Sequence, residues 1–125
     1  MNKNKKILLV DDEPDITLAF KIGLEDQGLV VDVFNDPISA LSSFKQGLYG
    51  LALLDIKMPK LDGIELYREI RKADDKVKIC FMTAFDIQIE ILNEALSTLG
   101  LKKPIVIRKP ITIDNLIARV KAELL

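Results

Sequence analysis

The chain has 125 residues, 49% of them apolar, which is the size and composition of one ordinary globular domain. A net charge of -1 gives no reason to expect non-specific nucleic-acid binding, and a single cysteine excludes an internal disulfide. Because the chain has no histidine, catalytic Ser-His and Cys-His pairs are excluded and any metal site must be built from oxygen ligands. No apolar run could cross a bilayer and no signal peptide is recognisable, so we expect a cytoplasmic protein without membrane insertion.

Short apolar runs alternate with helical patterns along the whole chain. The predicted strands cover, in chain order, residues 6–10, 29–34, 51–54, 77–82 and 105–108. The predicted helices run from Pro14 towards Gly28, from Pro37 to near Gly47, through 64–70, over 87–96, and onward from a cap at Thr112. This alternation predicts a single-domain α/β fold over residues 1–125, with a doubly wound, five-stranded parallel sheet and helices on both faces.

Polar side chains stand where four of these strands end. Asp11 and Asp12 follow the first strand, Asp55 the third, Thr83 the fourth and Lys109 the fifth. In open parallel sheets the carboxyl ends of the strands form the ligand site, so we expect these side chains to meet there. The end of the second strand, Asn35-Asp36, is interpreted instead as a helix cap.

Three carboxylates at one edge of a sheet repel one another unless a cation lies between them. Mg²⁺ (or Mn²⁺) suits such an all-oxygen site. A carboxylate beside the ion can attack phosphorus, while a lysine and a hydroxyl group stabilise the phosphoryl oxygens. The pattern therefore favours phosphoryl transfer.

These residues and their neighbours resemble the response-regulator receiver domains of two-component signalling. The matching segments are residues 9–13 (LVDDE), 55–59 (DIKMP) with Gly63, 82–84 (MTA) and 109–110 (KP). The resemblance covers nearly the whole chain, and it implies the flavodoxin-like strand order 2-1-3-4-5.

The resemblance also implies a role for each site residue. Asp55 is the phosphoacceptor, and Thr83 and Lys109 contact the phosphoryl group once it is transferred. The metal ligands are the carboxylates of Asp11, Asp12 and Asp55 and the backbone carbonyl of Lys57. The Lys109-Pro110 peptide is expected to be cis. The phosphodonor is a phosphohistidine on a sensor histidine kinase or a histidine phosphotransfer protein. The chain is not expected to be an enzyme, beyond catalysing its own phosphorylation and dephosphorylation.

One departure from the family concerns signal output. Receiver domains usually carry an aromatic residue three positions before the lysine, whereas this chain has Val106, a β-branched residue with few rotamers. We therefore expect the signal to pass around Thr83 and Ala84, with Phe85 as the mobile ring. Lys57 and Phe85 are also expected to shield the aspartyl phosphate from water, so that it persists for minutes or longer.

Output is expected through a protein contact of the fourth helix, the fifth strand and the last helix. The residues expected on that face include Ile87, Ile91, Lys102 and Leu116. The contact could form a homodimer or bind another partner, and the sequence does not distinguish between them.

Three other functions are alternatives for a chain with this pattern. A pseudo-receiver, which binds proteins without taking phosphate, is slightly favoured by Val106. The intact set of site residues argues against it: Asp11, Asp12, Asp55, Thr83 and Lys109. A Mg²⁺-dependent phosphatase commonly has a second carboxylate two residues after its aspartyl nucleophile, where this chain has Lys57. A dinucleotide-binding domain needs a glycine-rich turn after the first strand, and the acidic residues 11–13 stand there instead.

Overall fold

A computed structural model of the chain describes residues 6–56, 58, 62–83, 89–102 and 104–124, apart from the side chains of Ile89 and Ile91. Within these ranges strands and helices alternate, in the order β1 (Lys6–Val10), α1 (Pro14–Glu25), β2 (Val31–Phe34), α2 (Pro37–Ser43), β3 (Tyr49–Asp55), α3 (Gly63–Ala73), β4 (Lys78–Thr83), α4 (Ile89–Thr98), β5 (Ile105–Arg108) and α5 (Ile113–Leu124). The strands form one parallel sheet in the order β2-β1-β3-β4-β5. The predicted fold class and strand order are confirmed.

The register of the sheet places the predicted site residues at one edge. Val10 at the end of β1 pairs with Leu54, one residue before Asp55. Asp55 in turn pairs with Met82, and Thr83 pairs with Arg108, the residue before Lys109. The carboxyl ends of these four strands are therefore level with one another.

The apolar side chains of the strands form separate cores on the two faces of the sheet. Every residue of β3 is buried, which is typical of an interior strand covered on both sides. One face packs against α2, α3 and α4, as shown by the cluster that contains Leu8, Leu54, Ala40, Ile70 and Leu96. The other face packs against α1 and α5, in the cluster that contains Leu9, Leu53, Phe20, Leu116 and Val120. Helices on both faces were predicted and are confirmed.

Helix α2 ends at Ser43, so its predicted end near Gly47 was wrong. Phe44 adopts an extended conformation (φ -66°, ψ 135°), and its ring stacks on Tyr49 with the ring centroids 5.6 Å apart. Gly47 has a positive φ of 82°, and its N–H donates a 2.9 Å hydrogen bond to Asp74 Oδ2. Phe44 and Leu48 lie beyond the end of α2 and still pack against the core. Their apolar character therefore does not mean that the helix continues.

The second and third strands also differ from their predicted bounds. β2 begins at Val31 rather than at Leu29, because the Leu29 N–H bonds the carbonyl of Leu24 and so belongs to the turn that closes α1. β3 begins two residues earlier than predicted, at Tyr49. For α4, the predicted residues 89–96 are helical and the helix continues to Thr98, whereas residues 87–88 lie outside the described residues.

Local signals for helix starts are confirmed in three places. Pro14 and Pro37 occupy the first turns of α1 and α2, and Asp36 caps α2 by accepting from Ile38 N–H at 3.3 Å. Thr112 caps α5 through a 3.1 Å bond from Asn115 N–H to its Oγ1.

The Lys109-Pro110 peptide is cis, as expected. Of the helices in the described part of the chain, none is long and apolar enough to cross a membrane.

One predicted output residue is misplaced. Leu116 is fully buried in the core between the sheet and α5, so it cannot contact a partner, contrary to the prediction. Lys102 is exposed. Ile87 and the side chain of Ile91 lie outside the described residues, as do Ala84 and Phe85.

Candidate functional site

The carboxyl edge of the sheet brings together three carboxylates, which we call the acid pocket: Asp11, Asp12 and Asp55. One oxygen atom from each lies within 4.8 Å of the other two. Asp11 has no exposed surface and Asp55 is 6% exposed, whereas Asp12 lies closer to solvent. Burial of two acids side by side is unfavourable unless positive charge is near.

Lys109 supplies part of that charge. Its Nζ lies 2.7 Å from Asp11 Oδ2, 3.5 Å from Asp55 Oδ1 and 3.9 Å from Glu13 Oε1. The backbone of Lys109 is fixed by a 2.7 Å hydrogen bond from its N–H to the carbonyl of Thr83. The lysine is thus held between the ends of β4 and β5 and pairs most closely with Asp11.

The charges of the pocket are not balanced by the lysine. Burial and the negative charge of Asp11 raise the pKa of Asp55, Lys109 opposes both, and the net value is about 6. For Lys109, burial lowers the pKa, but the hydrogen bond and charge of Asp11 together with the charge of Asp55 outweigh burial and raise it overall. A protonated lysine therefore faces three carboxylates.

The donor set fits a hard divalent cation. Three carboxylates against one ammonium leave excess negative charge, and the oxygens are close enough together to share one ion. Mg²⁺ takes few protein oxygens and keeps several waters, which suits a pocket whose third acid lies near solvent. The backbone carbonyl of Lys57, which the resemblance makes a further ligand, lies outside the described residues.

Thr83 ends β4 beside Asp55 and is fully buried. Its carbonyl accepts the hydrogen bond from Lys109 N–H, and the neighbouring Met82 carbonyl accepts one from Ile56 N–H at 3.3 Å. Thr83, Asp55 and Lys109 thus come from three consecutive strands of the sheet. Every predicted site residue among the described ones lies at this edge.

Gly63 packs directly against the backbone that carries Asp55. A Cβ atom at this position would lie 2.3 Å from the carbonyl oxygen of Asp55 and 2.9 Å from the Cα of Ile56. The Gly63 N–H donates a 2.9 Å hydrogen bond to the carbonyl of Ile56. Only glycine allows the start of α3 to approach the backbone of Asp55 this closely.

Asn35 was misassigned from the sequence. Asp36 caps α2, whereas the amide nitrogen of Asn35 donates to the Asp11 carbonyl at 2.8 Å and to Thr17 Oγ1 at 2.9 Å. The residue therefore bonds the segment that carries the first two acids. Its position at the end of the strand next to β1 was the available signal, and the cap-like Asn-Asp-Pro sequence obscured it.

An apolar groove adjoins the acid pocket. It has a volume of about 580 Å³ and is lined by Asp15, Ile16, Ala19, Phe20, Lys109, Pro110 and Ile111. Leu18 and Ile22, at 58% and 61% exposure, continue the row of Asp15 and Ala19 along α1 at helical spacing. Lys109 belongs to both the groove and the site, so a molecule seated in the groove would lie close to Asp55.

The sheet order and the acid pocket define a flavodoxin-like α/β domain with a cluster of three carboxylates at its ligand edge. The sequence model of the response regulator receiver domain matches residues 7–121, and the chain therefore belongs to that family. Receiver domains act as switches in two-component signalling, interact with histidine kinases and output domains, and generally bind Mg²⁺ at an acidic pocket. The predicted family is confirmed.

Relatives agree with this assignment. The chain is 39% identical over 117 residues to a CpxR homologue from Haemophilus influenzae, covering 94% of this chain and 49% of that protein. It is 31% identical over 118 residues to the uncharacterised transcriptional regulatory protein YkoG of Bacillus subtilis, covering 94% of this chain and 50% of that protein. The chain spans about half the length of these curated relatives.

Solved structures match over nearly the full chain. The receiver domain of the Francisella response regulator 1452 superposes with a TM-score of 0.76 at 31% identity, covering 97% of both chains. A CheY-like receiver domain protein from Methanospirillum hungatei superposes with a TM-score of 0.82 at 28% identity, covering 96% of this chain and 93% of the other.

Proposed function

We propose that this chain is a phosphorylation switch that accepts a phosphoryl group on Asp55 from a phosphohistidine donor, with Mg²⁺ in the acid pocket. The observation that carries the proposal is the position of the Asp55 carboxylate. It is nearly buried, it shares a potential cation site with Asp11 and Asp12, and its Oδ1 lies 3.5 Å from the Lys109 ammonium.

The proposed reaction is a direct phosphoryl transfer. An oxygen of Asp55 attacks the phosphorus atom opposite the donor nitrogen, the new O–P bond forms as the P–N bond breaks, and the imidazole nitrogen takes up a proton. Asp55 attacks as the carboxylate, and the Lys109 charge favours that form. In the product, Lys109 would pair with a phosphoryl oxygen and the Thr83 hydroxyl would donate to another.

The cation would be held by Asp11, Asp12, Asp55 and the Lys57 carbonyl. When bound, it supplies positive charge that offsets the carboxylates and the phosphoryl oxygens. The chain would act on no other substrate, so it is not an enzyme in the usual sense. It catalyses its own phosphorylation and dephosphorylation.

The donor would dock on α1. The groove leads to Lys109, and Leu18 and Ile22 offer exposed apolar surface beside it. A helical phosphohistidine protein, a sensor histidine kinase or a phosphotransfer protein, would cover this surface while its imidazole reaches Asp55. This encounter would take place in the cytoplasm.

The output surface remains α4, β5 and α5, with Lys102 on it and without Leu116. Val106 in β5 is half-buried and packs against the core on the α4 side, where an aromatic residue usually stands in receivers. The surface would form a homodimer or bind a separate output partner.

The first experiment is intact-mass spectrometry after incubation with acetyl phosphate or phosphoramidate, with and without Mg²⁺. We expect one Mg²⁺-dependent phosphoryl adduct on the wild type, none on Asp55→Asn, and an unchanged adduct on the control Asp15→Asn, which alters a groove acid outside the pocket. If no adduct forms under any condition and beryllofluoride does not bind, the chain is a pseudo-receiver.

The docking surface needs a separate test. Leu18→Ser with Ile22→Ser is expected to slow transfer from a phosphohistidine protein while leaving the reaction with acetyl phosphate unchanged. Ile38→Ser changes an equally apolar, 46% exposed residue on α2 and serves as the control. Equal slowing with both donors would mean that the α1 substitutions disturb the pocket rather than docking.

A further inference from the structure

Asn35 makes a pair of hydrogen bonds that join three elements next to the acid pocket. Backbone pairing of β1 with β2 extends to a 3.2 Å bond from Asp11 N–H to the carbonyl of Phe34. The Asn35 side chain adds a 2.8 Å bond to the carbonyl of Asp11 itself. Both polar groups of the Asp11 backbone are thus bonded to the end of β2.

The second bond extends the connection into α1. The Asn35 amide also donates to Thr17 Oγ1 at 2.9 Å, and the Thr17 hydroxyl donates to the Pro14 carbonyl at 3.1 Å. Thr17 is 1% exposed and belongs to the first turns of α1. This second bond therefore connects Asn35 to the first turns of α1, whereas the bond to the Asp11 carbonyl is the one that reaches the peptide between Asp11 and Asp12.

The bond to the Asp11 carbonyl has a direct consequence for the pocket. Because the peptide unit is planar, the position of the Asp11 carbonyl oxygen sets the plane of the peptide that leads to Asp12. The Asp11 carboxylate is in turn fixed by Glu13 N–H at 3.1 Å and by Lys109 at 2.7 Å. Rotation of this peptide would move the Asp12 carboxylate relative to the buried oxygens of Asp11 and Asp55.

We propose that Asn35 is a positioning residue for the cation site: its amide holds the Asp11-Asp12 peptide in the orientation at which the acid pocket binds Mg²⁺. This inference rests on the proposed function, because it presumes that the pocket takes a divalent cation. Groups that orient metal ligands from outside the ligand set commonly change metal affinity by tenfold or more when removed. Asn35 itself is exposed, so its replacement leaves the core intact.

The test measures Mg²⁺ affinity by isothermal titration calorimetry, and folding by circular dichroism and thermal unfolding. Asn35→Leu keeps the approximate shape of the side chain without its donor, and Asn35→Ala is a second variant with a different steric effect. We expect both to raise the Mg²⁺ dissociation constant by about 10-fold, the lower end of the range for such residues, with native circular dichroism spectra.

Thr17→Val is the matched control. It removes the Thr17 hydroxyl, which is the other acceptor of the Asn35 amide, and leaves the bond from Asn35 to the Asp11 carbonyl in place. We expect a lower unfolding temperature with Mg²⁺ affinity changed by less than about 2-fold, well below the effect expected of an orienting group.

Each result has a definite meaning. If the Asn35 variants bind Mg²⁺ as tightly as the wild type, or if they merely lose stability as Thr17→Val does, the positioning role is overturned while the proposed function stands. If the wild type itself binds no Mg²⁺, both are overturned.

Discussion

Asp55→Asn is expected to stabilise the cation-free protein at neutral pH. The pKa of Asp55 is about 6 in the folded chain and its ordinary value is 3.8. Folding therefore favours the protonated acid, so stability is highest below about pH 4, falls as the pH rises through about 6, and stays low above it. Asparagine has nearly the shape of aspartate but remains neutral, so it removes this loss.

The size of the effect follows from the difference in pKa. At about 1.4 kcal/mol for each tenfold change in acidity, a rise from 3.8 to about 6 corresponds to ~3 kcal/mol. Structural relaxation and water near the buried charge reduce this penalty. We therefore expect the free energy of unfolding to rise by about 1–3 kcal/mol in the variant. In the variant, Lys109 keeps its ion pair with Asp11 at 2.7 Å, so the lysine is not left without a partner.

The assay is urea unfolding followed by circular dichroism, without divalent cations, at about pH 7 and again at about pH 4, where the folded acid is protonated and the unfolded acid is only about half ionised, so that most of the penalty is absent. We expect the gain at the higher pH and little difference at the lower one. Asp75→Asn, which changes an exposed acid near the start of β4, should have little effect at either pH. A destabilised Asp55→Asn protein, or an equal gain at both pH values, would refute the electrostatic argument.

Three further predictions concern stability and reactivity. Burial raises the pKa of the Cys80 thiol to about 12, so we expect a thiol reagent to label it only on unfolding, and fast labelling of the native protein would contradict its burial. Gly63→Ala should lower the free energy of unfolding in urea by about 1–3 kcal/mol and slow phosphorylation by acetyl phosphate, because the added Cβ would contact the Asp55 carbonyl. An unchanged stability and phosphorylation rate would show that α3 can shift away from Asp55 at no cost. Tyr67→Phe should lose about 1 kcal/mol in the same assay, because the hydroxyl donates to the Lys102 carbonyl at 3.0 Å; equal stability would mean that water replaces this bond.

The sheet and most of the site could be predicted because they depend on the same pattern. Continuous apolar runs mark interior strands, and the polar residues that directly follow the strands lie at the ligand edge. Asp11, Asp55, Thr83 and Lys109 could therefore be placed together without coordinates. The strand order needed the family resemblance, since alternation alone does not say which strands are neighbours.

The errors have physical causes that local patterns do not contain. Phe44 follows α2 and is apolar because it packs onto Tyr49, not because the helix continues past Ser43. Helical spacing placed Leu116 on the apolar side of the last helix. It did not show that this side packs against the sheet rather than facing a partner. Asn35 could be read as a cap until the order of the strands placed it next to Asp11.

The groove and the acid pocket are built from different parts of the fold, and this has an evolutionary consequence. The acids stand on the central strands, whereas Leu18, Ile22 and Asp15 project from the outer surface of α1. If the phosphodonor docks on α1 as proposed, this surface can change after gene duplication to fit a new donor while the acid pocket is inherited unchanged. Among the described groove residues, Lys109 also contacts the acids, so selection for a new donor would be least free to alter that position.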